Sequence, residues 1–123
     1  MDLDPVGVRN AAAIAHYSQR LAACIRQVLT QPAFALVVGG DCSILLGIAL
    51  GLKAVGPYGL FFLDGHTDYA TPERSATGGA AGMDLALVTG CGPAQLTNLD
   101  EQAPYFHPAT PGVWATGMPT QRT

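Results

Sequence analysis

Asp64, His66 and Asp68 stand at alternate positions in FFLDGHTDYA (61–70), directly behind a run of large apolar side chains. Carboxylate and imidazole are donor types that hold divalent cations. If the strand continues through them, residues two apart share a face, with ~7 Å between alternate Cα atoms, and the three side chains converge. Two carboxylates leaving water at the end of an apolar strand cost several kcal/mol each unless something positive compensates. No Lys or Arg lies between Lys53 and Arg74, so a metal ion is the simplest compensation. The competing assignment is local: Asp64 and Asp68 cap loop turns and His66 hydrogen bonds to backbone.

These acids matter because charge is scarce. Hydrophobic residues make up 49% of the 123-residue chain and charged residues 12%, which fits one domain with a real core and excludes a disordered tail. The net charge is −3, with six Lys plus Arg spread thinly, so no basic stripe follows a phosphate backbone and nucleic acid is excluded as an expected partner. The apolar run Ile44 to Leu52 falls short of the ~20 residues that span a bilayer. With no membrane segment and an acidic Met1-Asp2-Leu3-Asp4 start, the expected location is cytoplasmic. Cys24, Cys42 and Cys91 are an odd number at irregular intervals, as expected of reduced thiols rather than a disulfide framework or a zinc knuckle.

The elements that must position the acids can be read from periodicity. From Asn10, a candidate N-cap, to about Thr30, Ile14, Leu21, Ile25, Val28 and Leu29 recur at helical spacing; Cys24 falls on the apolar side. Gln31-Pro32 stops this helix, and FALVV (34–38) reads as a central parallel strand covered on both faces. The glycine turn GGDCS (39–43) follows, with Asp41 or Ser43 available to cap a helix over SILLGIALGLKA that has a small-residue face at Gly47 and Gly51. LFFLD (60–64) repeats the buried-strand pattern, and a Thr/Ser/Gly/Ala loop leads to a helix from about Ala80 to Val88. Strands alternating with helices imply an α/β fold: a parallel sheet with helices on both faces and both polar turns at carboxyl ends of strands, where open sheets bind ligands. Two strands alone make an incomplete sheet. Pro104, Pro108, Pro111 and Pro119 predict no regular element after about Asp100, giving a partial α/β domain over 1–100 and an irregular tail over 101–123.

GGDCS, then DGHTD, then TGGAAGMDLAL in this order and spacing resemble the ureohydrolase family of arginases, agmatinases and formimidoylglutamases over residues 34 to about 90. The family pattern is Gly-Gly-Asp-His-Ser, Asp-Ala-His-x-Asp, a loop ending in His-Gly, and later Ser-x-Asp-x-Asp. The resemblance implies a partial three-layer α/β/α, arginase-like fold and a binuclear Mn²⁺ hydrolase acting on the C–N bond of a linear amidine or guanidine. It further implies that Asp64 bridges both metals, His66 binds one and Asp68 the other, and it leaves a homo-oligomer open.

The chain also departs from that pattern. Cys42 stands where the family has His; as a thiolate it shifts preference toward Zn²⁺ or Fe²⁺, and otherwise it is a buried packing residue. Ala81-Gly82 replaces His-Gly, removing the residue that resembles the family's proton carrier, and Ala70 occupies a position commonly Asn in arginases, which puts arginine as substrate in doubt. No Asp-x-Asp follows Asp68. The expectation is a fragment inactive by itself, or else a non-catalytic metal-binding module that depends on a partner for missing strands. Shifting possible codons of VWATGMPT (113–120) by two nucleotides permits a Gly-x-Arg-Asp-like strand end, so the tail reads as an out-of-frame continuation. His16 and His107 are expected to be solvated, as is the Glu73-Arg74 loop tip unless it touches substrate.

Overall fold

The structure, a computed structural model, describes residues 5–107 and the backbone of residues 114–116. Helix α1 spans Ala11–Leu29 and α2 spans Ile44–Lys53. Strand β1 is Phe61–Leu63; a 3₁₀ turn at Ala80–Gly82 leads into α3 (Asp84–Val88), followed by the single turn α4 (Ala94–Thr97). Strand β2, Trp114–Thr116, lies parallel to β1 with Phe61 opposite Trp114 and Leu63 opposite Thr116.

The two long helices pack through small residues. Ala11, Ser18, Ala22 and Ile25 form the buried face of α1, so the inner stripe is narrower in side-chain size than the Ile14, Leu21, Val28 and Leu29 pattern suggests. A Cβ on Gly47 would lie 2.9 Å from the Ser18 carbonyl oxygen and 2.9 Å from Leu21 Cβ, and one on Gly51 would lie 2.8 Å from Ile25 Cβ. Both glycines are required by this close approach of α2 to α1. Gly47→Ala is therefore expected to lose about 1–2 kcal/mol, overpacking of ~1–3 kcal/mol outweighing the ~1 kcal/mol gain in helix propensity; a raised midpoint in urea would contradict it. The core continues through Leu46, Leu50, Met83, Leu87 and Leu96, all fully buried.

Four expectations are corrected. FALVV (34–38) forms no strand among the described residues: Phe34, Leu36 and Val38 are 93%, 80% and 84% exposed, while Ala35 and Val37 are half-buried. The alternation persists, but only one face meets α1, across a groove of about 420 Å³ lined by Leu21, Cys24, Ile25 and Val28 together with this segment. A parallel strand is buried on both sides only when sheet neighbours and helices cover it. Strand β2 lies within the expected irregular tail, between rather than across its prolines; the rest of the candidate out-of-frame stretch lies outside the described residues. Cys24 is exposed rather than core and lines that groove. Asn10 occupies the N-cap position in the left-handed region (φ 55°) and makes no side-chain capping bond, although its carbonyl accepts from Ile14 N–H at 2.9 Å.

Candidate metal centre

Strand β1 ends at Leu63, and the chain turns at once. The His66 N–H donates to Asp64 Oδ1 at 2.9 Å, and Asp68 takes a left-handed conformation (φ 45°). Potential ligand atoms of Asp64, His66 and Asp68 nevertheless all lie within 4.8 Å of one another. Convergence is thus produced by a tight turn and not by strand alternation. The local capping role expected for Asp64 is present too, since one oxygen holds the turn. His66 Nδ1 lies 3.7 Å from Asp64 Oδ1, and the imidazole is 86% exposed.

A second group shares Asp68 with the first: ligand atoms of Cys42, Asp68 and Asp84 also lie within 4.8 Å of one another. Cys42 is presented by the turn before α2. There Asp41 Oδ1 accepts from the Ser43 N–H at 2.9 Å and from its hydroxyl at 2.5 Å, and the Tyr17 hydroxyl hydrogen bonds to Ser43 Oγ. Asp41 thus organises this turn, and Ser43 makes no capping bond to α2. The Cys42 thiol reaches across to Asp64 Oδ2 at 3.5 Å. Backbone bonds fix the opposite wall: the Asp68 carbonyl accepts from Leu85 N–H at 3.1 Å and Ala86 N–H at 3.4 Å, and Ala70 N–H donates to Gly82 O at 3.2 Å. These bonds hold the loop after β1 against the start of α3 and set Asp68 beside Asp84.

Sequence reasoning missed Asp84. Its side chain is fully buried; Oδ1 accepts from Leu85 N–H at 2.7 Å, and Oδ2 has no hydrogen-bond partner. A signal existed: Asp84 is the only charged residue between Arg74 and Asp100, set in a run otherwise fit for a core helix.

The electrostatics are those of crowded anions. Burial, reinforced by the negative charge of Asp68, pushes the Asp84 carboxyl up to about 8. Burial also raises Asp68, with Asp64 adding to the effect. Asp64 is held below the ordinary carboxylate range, chiefly by the backbone N–H of His66. Burial and the bond to Asp64 push the Cys42 thiol up to about 11. A divalent cation among these groups would relieve the mutual repulsion, and the mixture of carboxylate, imidazole and sulfur is one that such ions accept.

Other candidates stand apart from this cluster. His16, His107, Glu73 and Arg74 are exposed. A cleft of about 350 Å³ between Pro72 and Pro93 contains Glu73 but none of the clustered groups. Ala70 and Ala81 flank the Asp68 loop without a polar side chain. No helix among the described residues is long and apolar enough to cross a membrane.

Comparison with known proteins places the chain in a family. The family model described as "Arginase family" matches residues 1–109. Arginase from Bacillus caldovelox is 37% identical over 102 residues, covering 82% of this chain and 34% of that protein; arginase from Bacillus subtilis is 34% identical over the same shares. The B. caldovelox arginase structure superposes with a TM-score of 0.80 at 34% identity, over 88% of this chain and 36% of that one. Entamoeba histolytica arginase, determined in complex with L-ornithine, gives 0.68 at 32% identity over 87% of this chain and 37% of that one. The chain spans about a third of the length of these relatives. The architecture is a partial α/β arginase-like fold, and the chain belongs to the arginase family.

Proposed function

We propose that this chain carries part of the site of a metal-dependent hydrolase that cleaves the C–N bond of a linear amidine or guanidine, the substrate class implied by its arginase relatives. The observation that supports this most is the convergence of Asp64, His66 and Asp68 within 4.8 Å at the end of β1. Arginase-family enzymes are binuclear manganese enzymes, and a pair of such cations, when bound, lowers the pKa of a shared water enough for attack at neutral pH. By position in the family motif, Asp64 would bridge the pair, His66 would hold one ion, and Asp68 with Cys42 the other. The donor set fits: the buried Asp84 oxygen without a partner, and the Asp68 and Asp84 carboxyls raised by burial and by neighbouring carboxylates, have the character of a site arranged for positive charge.

The residues also set limits on turnover. Asp64 Oδ1 is oriented by the His66 N–H, so one side of a bridging carboxylate is preset. Ala81 offers no group to pass a proton to a leaving amine, a function worth roughly 10²- to 10⁴-fold, and Ala70 weakens the case for arginine itself. With no Asp-x-Asp after Asp68, the 123 residues alone are expected to bind metal without measurable turnover. A cytoplasmic setting suits three free cysteines, two of them exposed.

A second reading draws support from Phe61 and Leu63, 68% and 73% exposed on β1: a non-catalytic metal-binding module whose sheet is completed by a partner or another copy. One set of measurements separates the two. Mn²⁺ content and release of urea, ammonia or formamide are followed for the chain, Asp64→Ala and Asp68→Ala. Metal held by the parent and lost from both variants supports a metal centre; turnover with added Mn²⁺ by a full-length version of the protein favours the enzyme, and metal binding there with no turnover favours the module. Equally little metal in all three proteins would remove both readings.

A further inference from the structure

We propose that Asp84 joins Cys42 and Asp68 as the third protein ligand of a cation position suited to Zn²⁺ or Co²⁺. The inference builds on the metal-centre reading above and adds a ligand that the motif positions do not supply.

The first reason is the state of Asp84. A carboxyl with no solvent exposure and one oxygen without a hydrogen-bond partner is costly to bury unless something else meets that oxygen. A ligand atom of this carboxyl lies within 4.8 Å of ligand atoms from Cys42 and Asp68. The charged side chains that act on it, Asp68 and Asp64, repel it, and the backbone N–H groups of Leu85 and Asp84 oppose them, so these neighbouring side chains supply no compensating positive charge.

The way the cluster is built supplies the second reason. Its three residues come from the turn before α2, the loop after β1 and the start of α3, and the Asp68 carbonyl is tied to α3 by the Leu85 and Ala86 N–H groups. The side chains are placed by separate segments, each held by hydrogen bonds in its turn or to α3, as a preorganised site requires. Three protein ligands with one position left open are the arrangement of a catalytic zinc site. One sulfur and two carboxylates make a borderline donor set, and softness then adds to the general order in which Zn²⁺ and Co²⁺ bind more tightly than Mn²⁺. Cys42 at a position that is His in the family, and Asp84 beside it, thus act together: one makes the site softer and the other adds an anionic oxygen.

Co²⁺ and Zn²⁺ added singly to the full 123-residue chain test this. The parent is expected to develop thiolate-to-cobalt charge-transfer absorption, which Cys42→Ser abolishes. Asp84→Asn should weaken Zn²⁺ binding by roughly 100-fold or more, beyond the 10- to 100-fold typical of disturbing a ligand's partner. Asp84→Leu, a near-isostere without donor atoms, should do the same and fold at least as well. His66→Ala should leave the cobalt band intact while losing the Mn²⁺ retention proposed above, so failure of either metal reading can be told from failure of the other. The proposal is overturned if the parent shows no sulfur-to-cobalt band, if either Asp84 variant binds Zn²⁺ as tightly as the parent, or if neither variant folds, which would make Asp84 a structural group of the metal-free chain.

Discussion

Raising the pH from about 4 to about 8 is expected to destabilise the metal-free chain, and Asp84→Asn is expected to remove most of that loss. The folded Asp84 carboxyl titrates at about 8 instead of 3.8. Between those values the unfolded chain has given up the proton and the folded chain still holds it. The folded state therefore binds more protons, and stability falls as pH rises through the window and levels off above it. A shift of this size corresponds to an upper limit on the order of 5 kcal/mol, a large fraction of the 5–15 kcal/mol that stabilises an ordinary domain. The groups facing Asp84 do not cancel the trend. Asp68 is also raised and acts in the same direction; Asp64 is lowered and contributes stability that disappears only as pH falls through its own lower range. Urea midpoints measured with a chelator across this range give the answer directly. A flat or rising profile for the parent, or an equally steep fall in Asp84→Asn, would show that Asp84 is not held protonated by the fold. A bound divalent cation should reverse the slope, because it favours the deprotonated ligands.

How much of this could be read beforehand depends on whether a feature is local. Helices α1 and α2 follow from spacing and from the Gln31-Pro32 and Gly56-Pro57 breaks, and the α2 glycines announce a close helix contact without naming Ser18 as the atom they approach. Asp64, His66 and Asp68 were legible from residue type and spacing, although the turn that gathers them was not. That turn depends on one side-chain oxygen capturing the His66 N–H and on the left-handed Asp68. Asp84 was not found because a helix read from about Ala80 places it in the interior, where a single acid is ordinarily assigned to the solvent-facing side. Only the folding of the Asp68 loop over α3 buries it. The 34–38 segment shows the converse. Its composition describes a strand in a complete sheet, and composition cannot say whether the covering layers belong to the same 123 residues.

That mismatch leads to the other large effect: the chain is expected to associate through the uncovered apolar 34–38 segment and strand β1. Phe34, Leu36 and Val38 on one segment, with Phe61 and Leu63 on β1, expose large side chains where parallel sheets are normally covered. Among the described residues β1 pairs on one side with β2 alone, so a free edge lies beside the apolar surface, and such an edge is a template for another chain. Fully burying one leucine is worth roughly 1.5–3 kcal/mol. Replacing both Leu36 and Leu63 by Lys should therefore weaken association by about 100-fold or more. The two residues are 80% and 73% exposed, so the same substitutions should change monomer stability by no more than about 0.5 kcal/mol each. Sedimentation velocity over a concentration series separates these quantities. If the parent stays monomeric throughout, or if the double variant associates as strongly, the exposed 34–38 segment and β1 are not the adhesive surface.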